Sequence, residues 1–418
     1  MVVSRFIPFF GFRHALDVLR GKWDNPNDPG QISHLQALST ALSATVGVSN
    51  IGGVAIAIAQ GGPGAVFWMW MSAVVGMATK FFTCTLACMY RQVDETGTLQ
   101  GGPMYYIEVG LGRRWRPLAI FFSCCGLVGC LAMFQPNQLA EILSANYQID
   151  PWVTGFTCAA IVAVVIGGGL KRIARFSERL VPLMCGLYVI GCLYVTLNNY
   201  QLIPDIFLRI VREAFTGTAA AGGLTGVLVR QAIVIGVKRA AFSNEAGIGT
   251  APMAHGAAKT HEPVREGLVA MLGPFIDTIV VCSMTAFVIL SSEVLQLGAN
   301  DLKGVALTSR AFEAVLGDGG KLLVTASVAL FAITTMVGYS YYGRKCFSYL
   351  FGQSRGHYYN YFFVATLVLG AVWPVDTIIN ILDTAFALMA LPNMIAALLL
   401  APRVAAATRD YFSRYKLR

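Results

Sequence analysis

Two short runs of this chain hold polar groups at spacings suited to ligand binding. Residues 241–250, AFSNEAGIGT, set Ser243, Asn244 and Glu245 beside Gly247 and Gly249; residues 43–50, SATVGVSN, set hydroxyls and the Asn50 amide around Gly47. Hydroxyls, amides and carbonyls released from a helix bind ions and zwitterions. Bond-breaking would instead ask for a nucleophile, a base and an orienting group together, and no such set occurs. The five histidines form no H-x-x-x-H pair and the ten cysteines no C-x-x-C, so neither a metal centre nor a disulfide framework is expected.

The surroundings of both runs are apolar. Hydrophobic residues make up 56% of the chain, charged residues 13%, and the mean hydropathy is +0.62, a composition too apolar for a soluble protein. About ten segments are long enough to cross a ~30 Å hydrocarbon layer, near 35–62, 64–90, 116–146, 151–169, 178–199, 224–257, 266–292, 319–351, 358–375 and 376–402. With the N-terminus inside, twenty-two of the Lys and Arg between spans fall in inner segments and five in outer ones. This places both termini in the cytoplasm. The net charge of +9 then reflects topology and anionic lipid, with no need of nucleic acid. The expected organisation is a basic amphipathic N-terminal segment (1–33), a first five-helix repeat (34–200), an outer linker (201–223), a second five-helix repeat (224–402) and a basic cytoplasmic tail (403–418).

The first and sixth spans are abnormal, and each opens a set of five. Gly47, Gly52 and Gly53 interrupt the first, Gly247 and Gly249 the sixth. Interruptions at corresponding positions of two halves point to an inverted-repeat transporter with broken helices at the midplane, because unwound backbone cannot face lipid. Small residues at such spacing also let membrane helices pack closely. Packing alone, however, asks for no Asn50, Ser243, Asn244 or Glu245 beside them, and polar groups in a span are functional hypotheses by default. The fold class expected is an all-α integral membrane protein of ten transmembrane helices, arranged as a 5+5 inverted repeat with helices 1 and 6 broken. Spans three and eight, at about 30 residues each, should tilt strongly.

Four runs, GGPGAVFWMWMSAVVGMATKF (61–81), GGPMYYIEVGLG (101–112), RAAFSNEAGIGTAPMAHGAA (239–258) and GYSYYGRKC (338–346), resemble the alanine or glycine:cation symporter family, whose fold is the leucine-transporter type. The resemblance covers nearly the whole chain. It implies uptake of small neutral amino acids across the bacterial inner membrane, driven by sodium or, in some members, by protons, with no other cofactor. It also implies a substrate pocket at Gly47, Val48, Ser49, Asn50, Gln135, Phe242, Asn244, Thr335 and Tyr339, in which Asn244 offers its amide and Phe242 and Tyr339 form apolar walls. One sodium site would use carbonyls of Ser43 and Val46 with the hydroxyls of Thr334 and Thr335. A second would use the Thr45 carbonyl and Asn50 with the substrate carboxylate. Hard oxygen ligands of this kind suit a hard cation.

Charged groups remain inside the spans. Lys238, Arg239 and Glu245 flank the sixth break and are expected to pair there in gating or structural bridges. Asp277 either helps couple a cation or makes a packing hydrogen bond, and Asp383 is structural. The chain departs from the family's pattern at three positions, with Val48 for a threonine, Tyr339 for a tryptophan and Arg344 for an acid. It also starts where a further membrane span of the family would be ending. A non-transporting amino-acid sensor on the same fold, a proton-coupled variant and an intramembrane enzyme are the alternatives. The last is disfavoured by the lack of a catalytic constellation.

Overall fold

The computed structural model describes residues 6–415 except 96, 217–224, 293 and 295–303. Arg5, Lys303, Lys416 and Arg418 of the charge split, and most of the second half of the outer linker, lie outside the described residues. The chain is mostly helical. A short helix α1 (Phe12–Leu19) precedes a bent pair, α2 (His34–Thr45) and α3 (Ser49–Gly61), which meet at 54°. Then come α4 (Gly64–Met89), a two-stranded hairpin (β1 Gln92–Val93, β2 Leu99–Gln100), α5 (Arg116–Gly129) and α6 (Phe134–Tyr147). Helices α7 (Pro151–Ile166), α8 (Gly169–Asn198) and α9 (Ile203–Thr216) complete the first half.

The second half runs α10 (Thr225–Asn244), α11 (Ala251–His255), α12 (Pro263–Ser291), α13 (Val305–Leu316), α14 (Asp318–Phe351), α15 (Tyr358–Val372) and α16 (Val375–Tyr415). Among the described residues six spans are long and apolar enough to cross a membrane, one of them being Arg113–Tyr147, which holds both α5 and α6, and the bent α2–α3 pair makes a seventh. Shorter apolar helices α7 and α15 stand with them.

Local signals account for the starts. Ser33 caps α2 reciprocally with Gln36, taking the Gln36 N–H at 3.2 Å while its own N–H reaches the Gln36 side chain at 3.1 Å, which satisfies two otherwise orphan donors. Asp150 caps α7, accepting the Trp152 N–H at 2.8 Å, with Pro151 at the first helical position where its missing N–H costs nothing.

Four expectations change. Span three is not one long helix: it stops at Gly129 and restarts at Phe134. Pro136 has no N–H to return to the Ala132 carbonyl, and its ring crowds that carbonyl. The charged segment before span five is the opening of α8 rather than a loop, and the expected tail continues α16 as helix to Tyr415. The outer linker contains α9, which buries Ile206, Ile210 and Ala214 and is tied to α4 by the Trp68 indole donating to the Ala214 carbonyl at 3.2 Å.

Both ends of the described chain meet. Arg265, at the start of α12, lies 5.1 Å from the Trp23 ring and 5.1 Å from that of Tyr415, and donates to the Tyr415 hydroxyl at 2.8 Å. The His14 Nε2 of α1 sits 2.7 Å from the Tyr411 hydroxyl of α16. Arg414 forks onto Glu262 at 2.6 and 3.0 Å. The expected surface segment is therefore partly docked: His14, Ala15 and Val18 are buried, while Phe9 and Phe10 remain exposed.

Burial, opposed by Asp17 and aided by Arg265, holds the His14 imidazole below its ordinary pKa of 6.5. Folding thus favours the neutral ring, so its contribution is complete above pH 6.5 and is lost as pH falls through the depressed value. Thermal unfolding in detergent should show a midpoint that drops on acidification below pH 6.5, and His14→Gln should flatten that part of the curve. An unchanged slope in the variant would assign it to other groups.

Candidate functional site

Break one is built from diverted hydrogen bonds. The Gly47 N–H donates to Asn50 Oδ1 at 2.8 Å, and the Asn50 N–H to the Gly47 carbonyl at 3.0 Å. In a continuous helix those two N–H groups would close onto Ser43 and Val46, so these are the carbonyls the break releases. Helix α14 packs directly on it. A Cβ at Gly47 would stand 2.5 Å from Thr335 Oγ1, and one at Gly338 would stand 2.8 Å from Ser43 Oγ. Both glycines are therefore required by close approach.

The hydroxyls nearby are not equivalent. Thr334 bonds its own helix, at 3.0 Å to each of the Leu330 and Phe331 carbonyls, and faces the Met184 sulfur at 3.2 Å. Ser43 and Thr45 likewise donate back to Thr40 and Ala41. Thr335 Oγ1 is buried and, among the described residues, has no hydrogen-bond partner.

Break two spans 245–250. Glu245, Gly247 and Gly249 have φ of 54°, 96° and 104°, left-handed geometry that glycine adopts freely and a glutamate rarely. The loop is pinned by Asn393 of α16, whose amide donates to the Gly247 carbonyl at 2.6 Å and accepts from the Tyr106 hydroxyl. The Glu245 carboxylate accepts from the hydroxyls of Thr250 and Tyr339.

Asp277 joins the two breaks. It lies in a π-helical stretch, Phe275–Cys282, that follows Pro274, and such turns recur at functional positions. Asn50 of α3 donates to its Oδ1 at 2.7 Å, while Ser243 of α10 and the neighbouring Thr278 donate to its Oδ2 at 2.8 and 2.7 Å. Lys80 of α4, also buried, is within electrostatic reach of both Asp277 and Glu245. A buried charge needs such compensation.

The expected residues fall into groups. Gly47, Val48, Ser49 and Asn50 lie at break one; Thr335 and Tyr339 face breaks one and two from α14. Gln135 occupies the first turn after the interruption in span three, buried, with Oε1 unpaired among the described residues. Phe242 packs between Phe134 and Phe386 at 5.7 and 5.6 Å. Asn244 departs from expectation: its amide donates to Thr278 at 3.0 Å and accepts the Ala246 N–H at 3.0 Å, so both ends are engaged within the protein. Tyr339 is no plain apolar wall, since its hydroxyl serves Glu245. The expected pairing of Lys238 and Arg239 with Glu245 is replaced by one with Asp383, at 2.7 and 3.1 Å.

Sequence reasoning missed Lys80, Thr278 and Asn393. Lys80 was visible as a lone charge in the apolar run ATKFF. It also missed a buried cluster in which Glu266 takes both His34 and His255, the latter at 2.5 Å, joining the start of α2, the end of α11 and the start of α12.

Over 412 residues the chain is 42% identical to the sodium/alanine symporter AgcS of Methanococcus maripaludis, covering 97% of this chain and 90% of that one. It is 34% identical over 412 residues to the amino-acid carrier protein AlsT of Bacillus subtilis, covering 98% and 86%. The crystal structure of MhsT in complex with L-phenylalanine superposes with a TM-score of 0.63 at 15% identity, over 89% of this chain and 90% of that one, a likeness of fold alone. The sequence model of the sodium:alanine symporter family matches residues 1–418, and this chain, a multi-pass membrane transporter with two opened helices, belongs to that family.

Proposed function

We propose that the protein carries out sodium-coupled symport of small neutral amino acids, alanine and glycine foremost, into the cell. In this reading ten spans form a 5+5 inverted repeat, and both termini are cytoplasmic. The observation that carries it is the break at Gly47, where the released Ser43 and Val46 carbonyls lie on the helix that packs against the unpaired, buried Thr335 hydroxyl. Neutral oxygens of this kind suit a hard monovalent cation. Coupling to protons would want a titratable group in their place.

The amino acid would lie beside the same break, its carboxylate toward the N-terminal turn of α3, with Gln135 and Phe242 bounding it. Phe242, held between two other rings, favours a short side chain. Asn244 acts on this site by positioning Thr278, and through it Asp277, rather than by touching the substrate. Asp277 holds Asn50 in the orientation that opens the break.

Proteoliposome counterflow of labelled alanine tests transport itself, and a protein that binds alanine without counterflow would be the sensor. With an imposed sodium gradient, Thr335→Val should raise the half-saturating sodium concentration about ten- to hundredfold, as expected for a lost oxygen partner of a charged group. Thr334→Val, whose hydroxyl serves its own helix, should change it far less. Uptake that follows a pH gradient and ignores sodium would sink sodium coupling and turn attention to Glu245 and Asp277.

Topology has its own check. In a background lacking the exposed Cys124, Arg409→Cys should resist an impermeant thiol reagent added outside intact cells, and Tyr200→Cys should react. The reverse pattern would invert the orientation.

A further inference from the structure

A cavity of about 240 Å³ lies away from both breaks, at the end of the molecule where the chain's two ends meet. Its walls come mainly from the β1–β2 hairpin, the junction of α7 with α8 and the last turns of α14, with Gln31, Gln353 and Asn360 completing the rim. The inner end is lined by Ser340 and Tyr341, adjacent in sequence to Tyr339, the partner of Glu245. Thr335 is five residues further along α14, about 7 Å up the helix axis.

The lining is a matched set of charges. Arg344 and Lys345 enter from α14, Asp94 from the hairpin on another wall, and Ile166, Leu170 and Ile173 supply an apolar side. Lys345 is buried, and its ammonium donates to the carbonyls of Gly101 and Met253 at 2.8 and 3.0 Å, which leaves one of three donors. Asp94 is fixed in place, accepting the Thr98 N–H at 2.9 Å and the Gln100 amide at 2.8 Å. Arg344 is half-buried and, among the described residues, makes no hydrogen bond or ion pair with the protein. A guanidinium in that position can take a carboxylate through two parallel bonds.

We propose that this cavity is a second binding site for an α-amino acid zwitterion, occupied between the breaks and the water at the terminal end. The carboxylate lies on Arg344, the ammonium toward Asp94, and a small side chain against Ile166, Leu170 and Ile173. Every part of the ligand meets its complement, and the volume suits a molecule of a few heavy atoms, being below the ~300–1,000 Å³ of pockets that hold drug-sized ligands. The site rests on the transport reading above, as the point of release.

Sided kinetics test it. Right-side-out and inverted membrane vesicles from cells without their own alanine uptake give the half-saturating alanine concentration from each face. Arg344→Gln should raise the value measured from the terminal-bearing face about five- to twentyfold, a charge-assisted bond discounted for partial exposure, and leave the opposite face within about twofold. Arg344→Lys should recover part of the loss, and Arg344→Glu should deepen it. Because Arg344 makes no hydrogen bond or ion pair among the described residues, all three variants should purify in parental yield as a single size-exclusion peak. Equal shifts on both faces, or no shift on either, with uptake intact would overturn the second site alone. A parent protein that moves no alanine from either face would overturn the transport reading, and this site with it.

Discussion

An opened helix within a hydrocarbon layer has to satisfy its backbone inside the protein, because lipid offers no partner for an N–H or a carbonyl. The breaks at Gly47 and at 245–250 are such openings, and one carboxylate serves both. Asp277 receives Asn50 from the first and Ser243 from the second, so neither opening can shift its side chain without altering the hydrogen bonding of the other. The cost of burying that carboxylate is offset by three donors and by Lys80, and removing a partner would leave an uncompensated charge.

Helix α14 reads both openings from the opposite side. Thr335 and Gly338 lie against α2 and the first break, and Tyr339, one residue on, bonds Glu245 at the second. Contact this close leaves no room for a side chain between the backbones. Asp277 couples the openings to each other, and α14 couples the pair to the rest of the bundle.

Much of this was legible in the residues. Glycines beside Asn50 and Asn244 in apolar segments marked both breaks, and helix breaks follow from local chemistry. Pro136 in MFQPN carried the same signal for span three and was passed over within a long apolar run. The direction in which a side chain points is a tertiary property, and no spacing in the sequence indicates that the Asn244 amide meets Thr278 and Ala246. Partners far apart in sequence were equally hidden: Arg239 and Asp383 are separated by 144 positions, His34 and Glu266 by 232. No spacing rule reaches across such distances. Lys80 was a different case, since a solitary charge in a membrane span is itself a sign of burial with a partner.

The junction of α1 with the end of α16 has a consequence for how the protein is made. Trp23 and His14 leave the ribosome long before Tyr411 and Tyr415, which lie almost four hundred residues further along the chain. The aromatic cage around Arg265 needs all of them. Each span can enter the bilayer as it is synthesised, but the end carrying both termini cannot close until α16 is complete. Until then α1 waits with its apolar face uncovered, at the membrane surface where Phe9 and Phe10 can rest among the lipid headgroups. Closing so long a loop of chain is slow relative to forming local helices, so maturation of this end follows insertion as a separate, late event.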